Sequence, residues 1–314
     1  MKRVLVCGSI AFDHIMDFPG LFKDHILPDK IHALNISFLV NSLKKMRGGT
    51  AANIAYNLAL IGESPVILGT AGQDFSEYRD WLNQAGVDTK LIKVLADDYT
   101  ASCFITTDLA NNQITGFYPG AMAHDPELSL KTIDLTDIAL VVIAPTEPAA
   151  MIKWALECKE LGIPYLFDPG MQIPRLSGAD LRQGILGARI VVFNEYEYTL
   201  MLEKTGLTRE EILNSVDLLV ETLGGKGSFL GAKHKRVHVQ AAKPTVVVDP
   251  TGAGDAYRAG LIKGYFEGAS LEKTGQYASI TAVYAVEHKG GTSHKYTIAE
   301  FNQRYQENYG GMIS

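Results

Sequence analysis

Cysteine is scarce in this chain: Cys7, Cys103 and Cys158 are the only three, odd in number and far apart. That spacing fits neither a disulfide framework nor a thiolate metal site, and it predicts reduced thiols in a cytoplasmic protein. Charge is moderate as well. Charged residues make up 20%, with a net charge of −6, which argues against nucleic acid or an anionic membrane as a partner. No run of residues approaches the length of an apolar membrane span. Internal repeats and low-complexity tracts are missing. A Walker A order, Gly-x-x-x-x-Gly-Lys-Ser/Thr, is absent, and Gly8-Ser9-Ile10-Ala11-Phe12-Asp13 is not the Gly-x-Gly-x-x-Gly of a dinucleotide-binding turn. The eight histidines show no metal-ligand spacing.

What is present is an ordinary globular composition. With 314 residues, 46% of them hydrophobic, the chain can bury a large core as one domain with an appendage or as two domains. Met1-Lys2-Arg3 before an apolar run superficially suggests a signal peptide, but the run soon meets Asp13 and His14, so Val4–Gly8 reads as a first β-strand. Further short apolar strands are expected at 65–69, 140–143, 164–167, 190–193 and 218–222. Helices are expected at about 75–85, 148–161, from 195 and at 276–288. Such alternation predicts a mainly parallel sheet covered on both faces, with ligands at the carboxyl ends of its strands. Two other regions read as β-rich: Ile31–Val40, and Thr100–Thr107 turning through Asn111-Asn112 into Gln113–Tyr118.

The chain is organised around Val246-Val247-Val248-Asp249-Pro250-Thr251-Gly252-Ala253-Gly254-Asp255. A β-branched run reads as a strand that Pro250 stops. Gly252 and Gly254 lack Cβ atoms, so their peptide N–H groups can approach an anion, and the helix that follows adds unpaired donors and partial positive charge. Asp255 in its first turn is placed to take a proton from a hydroxyl that attacks phosphorus. Ala253, Ala256, Gly260 and Gly264 form a small-residue stripe, so this helix is expected to pack closely on a neighbour. Arg47-Gly48-Gly49-Thr50-Ala51-Ala52-Asn53 opens another helix, with Asn53 offering a donor and an acceptor one turn in.

Asp249–Asp255 resembles the C-terminal signature of the ribokinase (PfkB) family of sugar and nucleoside kinases, and Gly48–Asn53 is similar to its N-terminal signature. The resemblance spans nearly the whole chain. It implies a three-layer α/β/α fold with a mainly parallel central sheet and a small β-sheet lid. The core would comprise residues 1–13, 47–99 and 119–314, and the lid residues 14–46 and 100–118. It implies Asp255 as base and the N–H groups of Gly252, Ala253 and Gly254 as an anion hole. Asp13, at the end of a strand, together with Gly48, Gly49 and Asn53 would hold acceptor hydroxyls. Phe12, Phe38 and Phe117 would offer an apolar face for a base or sugar ring. Asn194 and Glu197 resemble an Asn-x-x-Glu motif, the first near the triphosphate and the second holding a Mg²⁺-bound water. Thr222, Gly224 and Gly227, with Gly225, match a Gly-rich element that lies against the phosphates of ATP. Several members also use K⁺ beside the Gly-Ala-Gly loop.

The resemblance therefore implies an ATP- and Mg²⁺-dependent kinase acting on a primary hydroxyl. Family members related to ribokinase carry Asn two residues before the substrate-gripping Asp, and adenosine-kinase-like ones carry Asn four before it. Here those positions are Ala11 and Ser9. The stretch from His25 through Leu39 resembles the lid of the prokaryotic nucleoside-kinase branch, which favours the 5′-hydroxyl of a nucleoside such as adenosine. A sugar kinase for ribose or fructose and a non-catalytic nucleotide or sugar sensor are the alternatives. Which nucleoside, whether the chain is a monomer or a lid-mediated homodimer, the K⁺ requirement and the adenine contacts stay open.

Overall fold

The computed structural model describes residues 2–26, 35–233 and 235–310. The first half runs β1 (Arg3–Cys7), β2 (Ala11–Asp17), β3 (Ser42–Gly48), α1 (Thr50–Leu60), β4 (Pro65–Gly72), α2 (Ser76–Gln84), β5 (Ile92–Leu95), β6 (Ala101–Thr107) and β7 (Gln113–Tyr118). Then come β8 (Ile138–Ile143), α3 (Pro148–Leu161), β9 (Tyr165–Phe167), α4 (Gly178–Ile185), β10 (Ile190–Asn194), α5 (Glu195–Thr205) and α6 (Arg209–Ser215). The chain continues through β11 (Leu218–Thr222), β12 (Ser228–Ala232), β13 (Lys235–Val239), α7 (Ala253–Phe266), α8 (Leu271–Val286) and α9 (Ile298–Tyr309).

Among the described residues the large sheet has nine strands in the order β13-β12-β11-β10-β9-β8-β1-β4-β5. From β11 to β5 the neighbours are parallel, and β12 and β13 close the far edge antiparallel. Successive side chains of a strand face opposite sides, and here both sides are apolar. Val4 and Val6 enter one core with residues of α1, α2, α7, α8 and α9, while Leu5 and Cys7 enter the other with α3, α4, α5 and α6. The result is the expected three-layer α/β/α arrangement. The strand order reverses between β1 and β8, where the rule for open parallel sheets places a ligand crevice at the carboxyl ends.

A second sheet rises from that end, in the order β3-β2-β6-β7. Residues 8–10 lead from β1 into β2, and β3 passes through Gly49 straight into α1. Tight packing under the site comes from the small-residue stripe. A Cβ on Gly260 would lie 2.5 Å from the Tyr277 carbonyl, and one on Gly264 would lie 2.8 Å from Thr274 Cα, so α7 and α8 touch backbone to backbone.

Four expectations are corrected. Of the strand expected at Ile31–Val40, residues 31–34 lie outside the described residues, and 35–40 form no strand. The strand is instead Ser42–Gly48, a charged segment drawn into the sheet by antiparallel pairing with β2, a tertiary effect that overrides local propensity. Val246-Val247-Val248 is also not a strand, and Val247 is 67% exposed. The N–H groups of Val248 and Asp249 both reach the Val286 carbonyl at the end of α8 rather than a sheet edge. Asp13 lies within β2 rather than at a strand end, because β2 begins at Ala11, three residues inside the segment expected to belong to the core. The last buried helix starts five residues before the expected Gln276, at Leu271, because Ser270 caps it by accepting from the Lys273 N–H.

Candidate active site

The head of α7 is built by glycine geometry. Gly252 caps the helix at φ 77°, ψ −4°, a left-handed conformation, and a Cβ there would lie 2.4 Å from Gly291 Cα. Asp249 shapes the approach: one carboxylate oxygen accepts from the Thr251 N–H at 2.9 Å and the other from the Gly290 N–H at 2.9 Å. The Ala253 N–H donates to the Pro250 carbonyl at 3.1 Å, closing the turn. Gly252 and Gly254 have no acceptor for their N–H groups among the described residues. They are the loop donors left to meet an anion.

Asp255 follows in the first turn. Its Oδ2 accepts from Asn53 Nδ2 at 2.8 Å, joining α7 to α1. Asn53 is only 6% exposed, and its Oδ1 has no partner among the described residues, so a buried acceptor sits beside the Asp255 carboxylate. Burial pushes the Asp255 carboxyl up to about 7, with Arg258 and the Asn53 bond opposing the rise and Asp168 adding to it. Sequence reading missed Arg258 and Asp168. Arg258 grips the Asp168 carboxylate through Nε and, at 2.8 Å, through Nη2, and its Nη1 donates to the Gly254 carbonyl at 2.7 Å. The available signal was an arginine one helical turn after the aspartate, and an Asp-Pro-Gly at the end of a buried strand.

The small sheet brings Asp13 to the same place. Its carboxylate lies over Gly48, where a Cβ would come within 2.5 Å of Oδ2. Burial raises the Asp13 pKa, and the charge of Asp249 raises it further. Gly49, at φ 92°, lets the chain turn into α1 against the β1–β2 connection, where a Cβ would lie 2.6 Å from the Ala11 nitrogen. Met46, Asp13, Cys103 and Phe117 are cross-strand neighbours in one row, so they share one face of the sheet. That face turns toward the loop, since a Cβ on Gly290 would lie 2.4 Å from Met46 Cε.

The three aromatic candidates separate. Phe12 points to the opposite face, buried in the core with its ring 5.4 Å from Tyr78 and Lys45 Nζ 3.6 Å above it. Phe38 packs into a small cluster with Phe18 at 4.8 Å and Phe22 at 5.2 Å. Phe117 alone shares the face of Asp13, and it is 52% exposed.

Asn194 and Glu197 form a reciprocal cap at the start of α5: Asn194 Oδ1 accepts from the Glu197 N–H at 2.8 Å, and Glu197 Oε2 accepts from the Asn194 N–H at 2.9 Å. Burial and the Asp168 charge raise the Glu197 pKa. Thr222 ends β11 and donates to the Phe193 carbonyl at 3.4 Å. Gly224 (φ 57°) and Gly225 begin a short 3₁₀ turn that closes at Gly227 (φ 95°), packed against the Val239 carbonyl. Asp168, Asn194 and Thr222 thus stand at the carboxyl ends of adjacent strands β9, β10 and β11, as the parallel sheet requires. Among the described residues no group of three or more His, Cys, Asp or Glu side chains is disposed to hold a metal ion by itself. No helix among them is long and apolar enough to cross a membrane.

The chain is similar to known proteins over nearly its whole length. The pfkB family of carbohydrate kinases matches residues 1–297. A nucleoside kinase of Methanocaldococcus jannaschii is 32% identical over 292 residues, covering 92% of each chain. A nucleoside kinase of Methanothermobacter thermautotrophicus is 28% identical, covering 98% of this chain and 97% of its own. Among solved structures, Burkholderia thailandensis nucleoside kinase in complex with inosine superposes with a TM-score of 0.87 at 36% identity, covering 99% of both chains. Fold, motif positions and full-length similarity lead to one conclusion: the chain belongs to the pfkB family of carbohydrate kinases, and it is a kinase of the ribokinase-like fold.

Proposed function

We propose that this kinase transfers the γ-phosphoryl group of ATP to the 5′-hydroxyl of a nucleoside. The observation that carries the proposal is the placement of Asp255. It stands in the first turn of α7, beside the free N–H groups of Gly252 and Gly254, and is tied to Asn53 next to the Asp13 side of the site. In the step, the acceptor oxygen forms a bond to the γ-phosphorus, the bond from that phosphorus to the ADP oxygen breaks, and the acceptor proton passes to Asp255. A loose transition state loses that proton late, so positioning counts more than basicity. Each well-aimed loop N–H contributes about 3–4 kcal/mol to stabilising the transferring group.

Asp13, Gly48, Gly49 and Asn53 hold the other acceptor hydroxyls in this reading, the orphaned Asn53 Oδ1 accepting one of them. Phe117 offers a face to the base. Phe12 and Phe38 act from the packing behind. Asn194, Thr222, Gly224, Gly225 and Gly227 line the ATP side. The exposed valines 246–248, next to the loop, give an apolar edge for adenine. Glu197 Oε1 has no hydrogen-bond partner among the described residues and fits a Mg²⁺-bound water, since Mg²⁺ retains several waters and takes few carboxylates. Mg²⁺, when bound, supplies charge neutralisation on the phosphates.

The nucleoside reading is favoured over the sugar reading because the two archaeal relatives and the 36% identical solved structure described above are nucleoside kinases; the last was solved with inosine, and another structure of it with ADP-inosine. The test is ATP consumption with Mg²⁺, in K⁺ and in Na⁺, across adenosine, inosine, guanosine, cytidine, ribose and fructose. Turnover on nucleosides supports the proposal. Turnover confined to ribose or fructose moves the chain to the sugar kinases. Nucleotide binding with no turnover on any acceptor points to a sensor.

A further inference from the structure

We propose that Arg258, clamped by Asp168, is a positioning residue that fixes the last peptide of the Gly-rich loop and the carboxylate of Asp255 for phosphoryl transfer. The inference rests on the base role proposed above for Asp255. Arg258 lies three residues after Asp255 on α7, and its guanidinium turns back toward the helix N-terminus to reach the Gly254 carbonyl at 2.7 Å. That carbonyl belongs to the same peptide as the Asp255 N–H. One side chain therefore holds the peptide plane that carries the base.

The arrangement is unfavourable unless something requires it. A cation at a helix N-terminus opposes the helix dipole. Arg258 is only 8% exposed, so it also loses hydration. Asp168, 1% exposed at the end of β9, offsets both terms with a second buried charge. An apolar side chain of similar volume would fill the space without either charge. Packing alone does not call for this pair; holding Gly254 and Asp255 does.

The groups facing Asp255 come from several elements. They are Asn53 on α1, Tyr78 on α2, Asp168 after β9 and Arg258 on α7, with Glu197 on α5 acting on Arg258 and Asp168. Arg258 holds the Asp255 pKa down against burial, whereas Asp168 pushes it up. Removing the two members of the pair must therefore move the base in opposite directions. A pair that did not face Asp255 would leave its titration unmoved, and the loss of kcat beside the shift reports on positioning.

The test is the pH dependence of kcat/KM with ATP and inosine for wild type, Arg258→Gln, Arg258→Lys, Asp168→Asn, the double variant Asp168→Asn/Arg258→Gln, and Asp255→Asn. ATP binding and thermal unfolding are followed alongside. Arg258→Gln is expected to lower kcat about 100-fold by misplacing the base and to move the acidic limb to higher pH. Arg258→Lys restores part of both. Asp168→Asn moves the limb to lower pH. The double variant leaves no unpaired buried charge, so it tests the idea even if Arg258→Gln fails to fold, and it too shifts the limb upward. Activity lost in every variant with the limb unmoved, or moved in one direction by both single changes, overturns the role of Arg258. Asp255→Asn that retains wild-type turnover instead overturns the base reading itself, so the two failures are distinguishable.

Discussion

The loop at the head of α7 and the small sheet opposite hold their residues by different means. The loop is fixed by backbone: a left-handed Gly252 against Gly291, a turn bond from Ala253, two N–H groups on Asp249 and a buried ion pair behind Gly254. The sheet is fixed by side chains and register. Its row of Met46, Asp13, Cys103 and Phe117 exists because β3 and β6 flank β2, and its aromatic residues pack chiefly on one another or on the core. The loop therefore tolerates almost no change in residue type, while much of the sheet can change in side chain and keep its pairing. That difference orders the consequences of substitution.

The largest effect should come from Gly252→Ala. Alanine there must adopt a positive φ while its Cβ displaces Gly291, which moves the residue 252 N–H out of its place in the loop. Turnover should fall about 10²–10³-fold, with unfolding eased by about 1–3 kcal/mol, read by steady-state kinetics and urea denaturation. A smaller loss marks the loop as less rigid than its geometry states.

Acid should come next. A base that must be ionised, with its carboxyl held near about 7, makes kcat/KM fall as pH drops below that point and level off above it. The same shift has a stability sign. The folded-state pKa lies above the unfolded value of 3.8, so the folded form binds the proton more tightly and stability declines as pH rises from the unfolded value through the folded one. Asp255→Asn removes that decline. Its advantage over wild type in thermal unfolding should therefore be larger at pH 8 than at pH 5.

Legibility follows the same division. The loop could be read from Asp249–Asp255 because close backbone approach permits only glycine at Gly252 and a first-turn carboxylate has few other uses beside an anion hole. The parallel sheet was legible in its short apolar strands, each buried on both faces. The small sheet was legible only in part: β6 and β7 fall where Thr100–Tyr118 reads as two strands, but β3 does not, because Ser42–Gly48 is charged and becomes a strand only through its partner β2. The three valines misled for the converse reason: they look like a strand, but the hydrogen bonds of Val248 and Asp249 go to the end of α8. Arg258 escaped notice because its one local signal, a place one helical turn after Asp255, is shared by many surface arginines; only the fold brings Asp168 to it from 90 residues away.

Within the sheet, Phe12→Ala should lower stability by about 3–5 kcal/mol, since it empties a buried site against Tyr78. Catalysis by the folded fraction should change little by comparison. Phe117→Ala should show the smallest effect on stability, within about 0.5 kcal/mol, and should appear instead as a raised KM for the nucleoside with KM for ATP unchanged. If Phe12→Ala instead raises the nucleoside KM without destabilising the fold, Phe12 belongs to the substrate face and the separation of the aromatics fails.

The central claim is that Asp255 is the base on a preformed loop, and its most direct test is the rate of phosphoryl transfer from ATP to inosine by Asp255→Asn at pH 8, with ATP binding measured in parallel. The account predicts turnover about 10³-fold below wild type with ATP still bound. A variant that turns over at nearly the wild-type rate would contradict it.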